Sequence, residues 1–164
     1  MKCKNVNCYI VSNGKNSILV DTGKKKYSEK VIELCKKYNV NLIVLTHTHF
    51  AHAENAHLIS SKLGMNEKDC NLIKSNMNQS LSAKSFLGKI ISLVGHTNGS
   101  IGIDIDKKYL IVGDAFMNMF YPTVSMLYHN RNEMLKSAEK ISNIGERIIY
   151  FGHGKPVSNR KLVK

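Results

Sequence analysis

The chain has 164 residues, of which 43% are hydrophobic and 22% are charged, and its formal net charge is +12. No apolar run approaches the roughly 20 residues that a membrane-spanning helix requires, and the N-terminal residues lack the apolar core of a secretory signal. We therefore expect a cytoplasmic protein with no membrane partner, folded as a single domain over residues 1–164.

The positive charge is compatible with an anionic partner such as nucleic acid, but its distribution favours a solvated surface. Only three of the 24 basic residues are arginine, the residue better suited to forked phosphate contacts. The lysines form short groups at predicted turns and helix ends. A small-molecule substrate is therefore expected, and nucleic acid is possible but not favoured.

The first half of the chain alternates between strands and helices. Its expected elements are strands at 6–12 and 17–23, a helix at 27–38, a strand at 41–46, and helices at about 53–63 and 68–75. Asn13-Gly14 indicates a tight primed turn, because both residues tolerate positive φ angles. The strand at 41–46 is expected to be buried, since its apolar run is continuous.

The second half returns to strands. Its expected elements are strands at 89–95, 101–106, 109–114 and 147–151, and a helix at 130–143. Asp106-Lys107-Lys108 predicts a second hairpin, and residues 76–86 are a candidate flap. Strands mixed with helices in this order predict a layered α/β domain.

Three of the seven histidines lie in the segment THTHFAH, directly after the strand at 41–46. Open α/β sheets place ligand sites where loops leave the carboxyl ends of strands. His47 and His49 are two residues apart in an extended segment, so both can reach one metal ion. His52 follows a bend and is expected to serve a second ion.

Three further strand ends each carry a metal-ligand residue beside a glycine: His96 after Gly95, Asp114 after Gly113, and His153 between two glycines. A lone histidine is usually structural, but four such loops together favour a metal centre. Imidazole and carboxylate ligands without a thiolate are typical of catalytic zinc. The remaining histidines, His57 and His129, lack this setting and are expected on the surface or on helices.

The segments ILVDTG, THTHFAH, GHTNGS, GDAF and FGHG resemble, in order, the motifs of the metallo-β-lactamase superfamily, over about residues 6–157. The resemblance implies an αββα sandwich with a metal site at one edge of its sheets. GHTNGS and FGHG are most similar to the glyoxalase II-like branch.

The resemblance also implies a ligand set and a metal. Its two metal positions share the bridging ligand Asp114, the first being completed by His47, His49 and His96, and the second by His52 and His153. One or two zinc ions per chain are expected, with iron or manganese as alternatives. Asp21 resembles a buried aspartate of the family that supports the site without binding metal.

The chain departs from the family's first motif, His-x-His-x-Asp-His, at Ala51. Alanine offers no carboxylate for the second metal or for the attacking water. Three outcomes follow: one tightly held zinc with partial occupancy of the second position, two metals with water filling the gap, or a chain that has lost catalysis.

The function implied by the resemblance is a zinc-dependent hydrolase in which metal-bound hydroxide attacks a thioester or ester, with Asp114 orienting the nucleophile. The alternatives are a phosphodiesterase or nuclease, an iron-dependent oxidoreductase of the same fold, and a non-catalytic metal-binding protein. Tyr121, Tyr128 and His129 either line the substrate cleft or pack before the helix at 130–143.

Overall fold

A computed structural model of the chain describes residues 6–72 and 88–159. The chain divides into two compact units, Met1–Leu81 and Ser82–Lys164, each with its own sheet. The single domain expected over the whole chain stays a prediction. Among the described residues, no helix is long and apolar enough to cross a membrane. The candidate flap at 76–86 lies outside the described residues.

The first unit is built on a four-stranded sheet in the order β1-β2-β3-β4. Its elements are β1 (Tyr9–Ser12), β2 (Ser17–Val20), α1 (Ser28–Lys37), β3 (Val40–Val44), α2 (Phe50–Ala53) and β4 (Lys62–Gly64). Strands β1 and β2 are antiparallel, whereas β2, β3 and β4 are parallel. The carboxyl ends of β2 and β3 therefore meet at one edge of the sheet, where each leads into a loop with polar side chains.

The predicted hairpin between β1 and β2 is confirmed, but its turn differs from the prediction. Four residues, 13–16, connect the strands, and Gly14 has a positive φ of 87° whereas Asn13 does not. The Asn13 Oδ1 atom instead accepts hydrogen bonds from the backbone N–H groups of Lys15 and Asn16, at 3.0 and 2.8 Å. The asparagine thus acts through its side chain, as in an Asx turn.

The helix predicted at 53–63 is wrong. α2 ends at Ala53, a 3-10 turn covers Ala56–Leu58, and β4 follows. Local helix propensity is overridden because β4 pairs with β3 and buries Leu63 in the core. A 3-10 helix at Glu67–Leu72 replaces the start of the helix predicted at 68–75, whose last residues lie outside the described range.

The core of the first unit is aliphatic and lies between its sheet and α1. Its buried members are Leu19, Cys35, Val40, Ile43, Leu45, Ala56, Ile59 and Leu63. Val31 and Ile32 of α1 pack against this cluster, which explains the helical spacing of apolar residues in the sequence. This packing fixes the ends of β2 and β3, from which the candidate ligand loops leave.

The second unit is built on a five-stranded sheet in the order β11-β10-β7-β6-β5. Its elements are β5 (Gly88–Ser92), β6 (Ile101–Ile105), β7 (Tyr109–Gly113), β8 (Met117–Asn118), β9 (Pro122–Thr123), α3 (Arg131–Asn143), β10 (Ile148–Phe151) and β11 (Val157–Ser158). β5 and β7 are both antiparallel to β6, and β7 is parallel to β10. The strands β5, β7 and β10 therefore run in one direction.

The predicted strands and helix of the second unit are present, and the sequence missed only short strands, β8, β9 and β11, within the described ranges. Helix α3 begins after Asn130, whose side chain accepts a hydrogen bond from the backbone of Glu133 at 3.2 Å. Its buried Met134 lies against Gly95, at which any Cβ atom would overlap the Met134 backbone. Because Gly95 also has a φ of 132°, only glycine fits there.

A largely buried ion pair joins strand β6 to the residue that directly precedes β10. Arg147 donates from Nε and Nη2 to the two carboxylate oxygens of Asp104, at 2.9 and 3.2 Å. Both side chains are only 10% exposed, so the pair is shielded from solvent. The forked geometry satisfies both carboxylate oxygens, as burial of the charge requires.

Candidate metal-binding residues

The three histidines of the first unit lie together, as the sequence predicted. His47 follows β3, and its ring centroid lies 4.9 Å from that of His49 and 4.2 Å from that of His52. The short helix α2 brings His52 back, since its backbone N–H donates to the His49 carbonyl at 2.8 Å. His47 and His52 are each 1% exposed. The segment THTHFAH therefore gathers three imidazoles in one place.

Asp21 orients His52 from behind, in agreement with the role that the family resemblance implies. Its carboxylate accepts a hydrogen bond from His52 Nδ1 at 2.8 Å and further bonds from the Thr46 backbone and hydroxyl, both at 2.8 Å. A carboxylate can only accept, so the proton of His52 is on Nδ1. Nε2 is thereby the nitrogen of His52 that remains available to a ligand.

Thr46 performs the same task for His47, and the sequence reasoning did not identify it. The Thr46 hydroxyl lies 3.0 Å from His47 Nδ1 and 2.8 Å from Asp21 Oδ2. The Thr46 hydroxyl has one proton, which it donates in the hydrogen bond to Asp21. Its oxygen therefore accepts a hydrogen bond from His47 Nδ1. His47 therefore also presents Nε2. The available signal was a threonine between a buried strand and the first histidine.

Asn55 is a second residue that the sequence reasoning missed. Its side-chain NH2 group donates to the backbone carbonyls of Thr22 and Lys24, at 2.8 and 3.0 Å. The Thr22 hydroxyl in turn donates to the His52 carbonyl at 3.0 Å. These contacts attach the end of α2 to the loop after Asp21. They hold His52 in position and explain why the chain leaves the helical path here.

The three predicted ligands of the second unit are also brought together. His96, Asp114 and His153 follow β5, β7 and β10, and each is at most 6% exposed. The Asp114 Oδ2 atom lies 3.3 Å from His153 Nε2 and 3.7 Å from His96 Nε2. Two imidazole nitrogens and one carboxylate oxygen therefore converge at the carboxyl ends of three strands that run in one direction.

His96 is oriented by a backbone carbonyl. Its Nδ1 lies 2.6 Å from the carbonyl oxygen of Leu127. Because a carbonyl can only accept, Nδ1 donates, and Nε2 is the ring nitrogen that faces Asp114. The role of Leu127 could not be predicted from the sequence, because any residue type offers the same backbone carbonyl.

The stretch 115–130, here named the ligand-linking segment, contacts the loops of His96 and His153. The Asn118 N–H donates to the His153 carbonyl at 2.9 Å, and the His129 N–H donates to the Gly95 carbonyl at 2.8 Å. His129 is exposed, as is His57 in the first unit, in agreement with their expected surface positions. The segment begins directly after Asp114, and its backbone atoms bind the loops that carry His96 and His153.

The donor atoms of both groups suit a catalytic metal such as zinc or iron. The nearby thiol of Cys8 is a poor candidate ligand. Burial, followed by the charge of Asp21 and the proximity of Cys35, raises the pKa of Cys8 from 9.0 to about 12. Because a thiol binds metal as the thiolate, Cys8 is protonated and inert at neutral pH.

Comparisons with known proteins agree with these observations. A sequence model of the metallo-beta-lactamase superfamily matches residues 1–80. The B3 metallo-beta-lactamase BLEG-1 has a similar structure, with a TM-score of 0.76 at 20% identity over 95% of this chain and 90% of its own. The chain is therefore similar to the metallo-β-lactamase superfamily, in sequence over residues 1–80 and in fold over most of its length. The predicted fold class, α/β of the αββα metallo-β-lactamase type, is thereby confirmed.

Two further similar proteins extend the comparison. TTHA1623 in a di-iron-bound form has a TM-score of 0.78 at 17% identity over 94% of this chain and 90% of its own. The beta-lactamase-like protein 2 homolog of Drosophila melanogaster is 24% identical over 94% of this chain, which spans 60% of the fly protein's length. The superfamily consists mostly of metal-dependent hydrolases, so metal binding is the first property to test.

Proposed function

We propose that the two groups of ligand residues act as one metal centre and that the protein is a metal-dependent hydrolase of thioesters or esters. The main support is the way in which three of the imidazole rings are oriented by hydrogen bonds at Nδ1. Thr46, Asp21 and Leu127 each hold the Nδ1 atom of one histidine, so that Nε2 is presented as a ligand. Metal-binding histidines almost always donate the N–H of their other ring nitrogen to such an acceptor, so this arrangement supports the proposal.

The proposed first metal position uses His47, His49 and His96, and the second uses His52 and His153, with Asp114 as the ligand common to both. Zinc is the proposed metal, and the di-iron form of TTHA1623 makes iron the alternative to test. A metal ion bound by such ligands polarises a carbonyl group and lowers the pKa of water toward about 7.

Asp114 is the carboxylate proposed to handle the proton of the attacking water. Its Oδ2 atom lies 3.3 Å from His153 Nε2 and 3.7 Å from His96 Nε2, and the side chain is 6% exposed. At position 51, where the family motif has a second carboxylate, alanine can neither accept a proton nor orient water. Proton transfer thus depends on Asp114 alone, which favours substrates with good leaving groups such as thiolates.

Ala51 is half-buried in α2, between the ligands His49 and His52. Without a carboxylate there, the second metal position retains His52, His153 and Asp114. Three protein ligands and a water satisfy tetrahedral zinc, so we propose a weakened second position.

The test is metal content per chain, measured by mass spectrometry on protein purified without added metal. We expect about one ion in the native chain and an increase toward two in Ala51→Asp, together with faster thioester hydrolysis. Ala51→Asn is the matched control, because it has nearly the same size and no charge, and it should keep the native metal content. Absence of metal from all three proteins would contradict the proposal.

A phosphodiesterase or nuclease is the second candidate, supported by the net charge of +12. It predicts binding of single-stranded RNA or DNA that weakens steeply as salt increases. Cleavage of these polymers by the metal-loaded protein, without thioester hydrolysis, would favour this candidate over the first.

A further inference from the structure

The ligand-linking segment differs in composition from the rest of the chain. Residues 115–128 include no charged side chain, although 22% of the whole chain is charged. Large apolar side chains of this stretch are nevertheless exposed: Met119 by 42%, Phe120 by 89%, Tyr121 by 69%, Met126 by 82%, Leu127 by 71% and Tyr128 by 49%. Exposed apolar residues that follow one another along the chain, as at 119–121 and 126–128, are less common than single ones and often mark a binding surface. These six residues are here named the apolar surface.

The apolar surface is attached directly to the proposed ligand loops of its unit. Met119, Phe120 and Tyr121 form the tip of the β8–β9 hairpin, whose Asn118 binds the His153 loop through N–H and side chain, at 2.9 and 2.8 Å. Met126, Leu127 and Tyr128 form its other part. The carbonyl of Leu127 is the group that orients His96. Both parts of the surface are therefore within one or two residues of a contact with a ligand loop.

We propose that the apolar surface binds the acyl chain of the substrate, so that the protein prefers thioesters or esters of medium-length, uncharged acyl groups. This inference rests on the proposed hydrolase function and specifies its substrate class. An uncharged surface beside the ligand loops matches an uncharged hydrocarbon group next to the carbonyl that reacts. Removal of both from water supplies binding energy close to the reacting atoms.

A nucleic acid is a poorer match for this surface. Proteins that stack bases on aromatic side chains combine them with cations that follow the phosphates. Between 115 and 128 the chain provides aromatic residues but no lysine or arginine. The positive charge of the protein therefore lies elsewhere, and this segment is suited to a hydrocarbon group.

The experiment is a series of acyl thioesters from acetyl to decanoyl, assayed with the metal-loaded protein. We expect kcat/KM to rise by about two- to fourfold per added methylene, the upper value corresponding to full burial of one CH2 group. In the double variant Phe120→Ser, Met126→Ser the ratio of decanoyl to acetyl kcat/KM should fall at least tenfold. Leu135→Ser on α3, which removes a 46% exposed leucine from the same unit, should keep the native ratio.

A binding measurement separates this inference from the proposed function. Calorimetric titration with hexanoate, octanoate and decanoate should show affinity that increases with chain length and is lost in the double variant. Binding that depends on chain length, without hydrolysis of the thioesters, would support acyl-chain binding by the apolar surface and would contradict the proposed hydrolase function. Hydrolysis that is indifferent to chain length would overturn the inference and leave the hydrolase intact. A native dimer that the double variant dissociates, in sedimentation, would also overturn it, because the surface would then be an interface between copies.

Discussion

Replacement of Asp21 by asparagine tests how the first unit holds its histidines. Asp21 has a φ of 57°, a left-handed conformation that asparagine tolerates as well as aspartate does. Asp21→Asn therefore keeps the backbone and the side-chain shape, and it removes the negative charge and replaces one acceptor oxygen by an NH2 donor. Any effect can then be attributed to the hydrogen bonds of the carboxylate.

The magnitude follows from the contacts of the carboxylate. It accepts from the Thr46 N–H, the Thr46 hydroxyl and His52 Nδ1, each at 2.8 Å, in a site where Asp21 is 1% exposed. A hydrogen bond to a charged group contributes about 1 kcal/mol more than a neutral one, which amounts to about 3 kcal/mol for three bonds. Relief from burying the charge offsets part of this loss, and we expect a decrease of about 2 kcal/mol in the free energy of unfolding.

The same substitution changes the proton position on His52. The amide NH2 group of asparagine would face Nδ1, which must then accept, and the ring proton moves to Nε2. Because Nε2 is the nitrogen proposed to bind metal, affinity at the second position should fall about 10- to 100-fold.

The assays are urea unfolding of the metal-free protein, followed by circular dichroism, and metal titration against a chromophoric chelator. Asp106→Asn is the matched control, because Asp106 also has a left-handed φ, of 52°, but is exposed in a turn. The control should change stability by less than about 0.5 kcal/mol. An Asp21→Asn protein as stable as this control would refute the argument that the buried carboxylate organises the first unit.

Three further predictions concern the packing of both units. Gly95→Ala should destabilise the protein by more than about 4 kcal/mol, since the added Cβ atom would overlap the α3 backbone. In the control Gly14→Ala the added Cβ atom has no neighbour within 4 Å, so the cost should be about 1 kcal/mol; thermal unfolding of both variants tests the difference. Arg147→Met should cost about 3 kcal/mol by leaving a buried carboxylate unpaired, whereas Lys136→Met breaks an exposed pair and should change urea stability by less than about 0.5 kcal/mol. With its pKa raised from 9.0 to about 12, Cys8 should react with iodoacetamide at pH 8 about 1000-fold more slowly than a free thiol, as measured by peptide mass spectrometry. The contribution of the protonated thiol to the free energy of unfolding should be full below pH 9 and should decline as the pH rises toward 12. Alkylation of native Cys8 at the rate of a free thiol would contradict its burial.

The strands were predictable because their apolar residues also form the cores. In the continuous run at 41–46, Ile43, Val44 and Leu45 are fully buried as the pattern predicted, whereas Asn41 is exposed. The helix at 53–63 could not be judged in this way. Its outcome depends on hydrogen bonds from Asn55 to carbonyls about thirty residues earlier in the chain, and local propensity contains no information about such partners.

The same distinction applies to the candidate site. The histidines and Asp114 could be proposed as ligands from the sequence because they are chemically distinctive residues at strand ends. Thr46 and Leu127, which orient two of the histidines, could not, since one is a common residue and the other acts through its backbone carbonyl. Ligand types are therefore visible in a sequence, whereas the groups that orient them require coordinates.

The ligand-linking segment holds the ligand loops of its unit largely through main-chain atoms, at Asn118, Leu127 and His129. Main-chain hydrogen bonds survive most side-chain replacements, so the exposed positions between them are open to change while the ligands remain in place. Because the backbone holds the loops and the exposed side chains do not, point mutations in these side chains can change substrate preference without loss of the proposed metal ligands. The segment is accordingly the first region in which to diversify this protein by directed evolution.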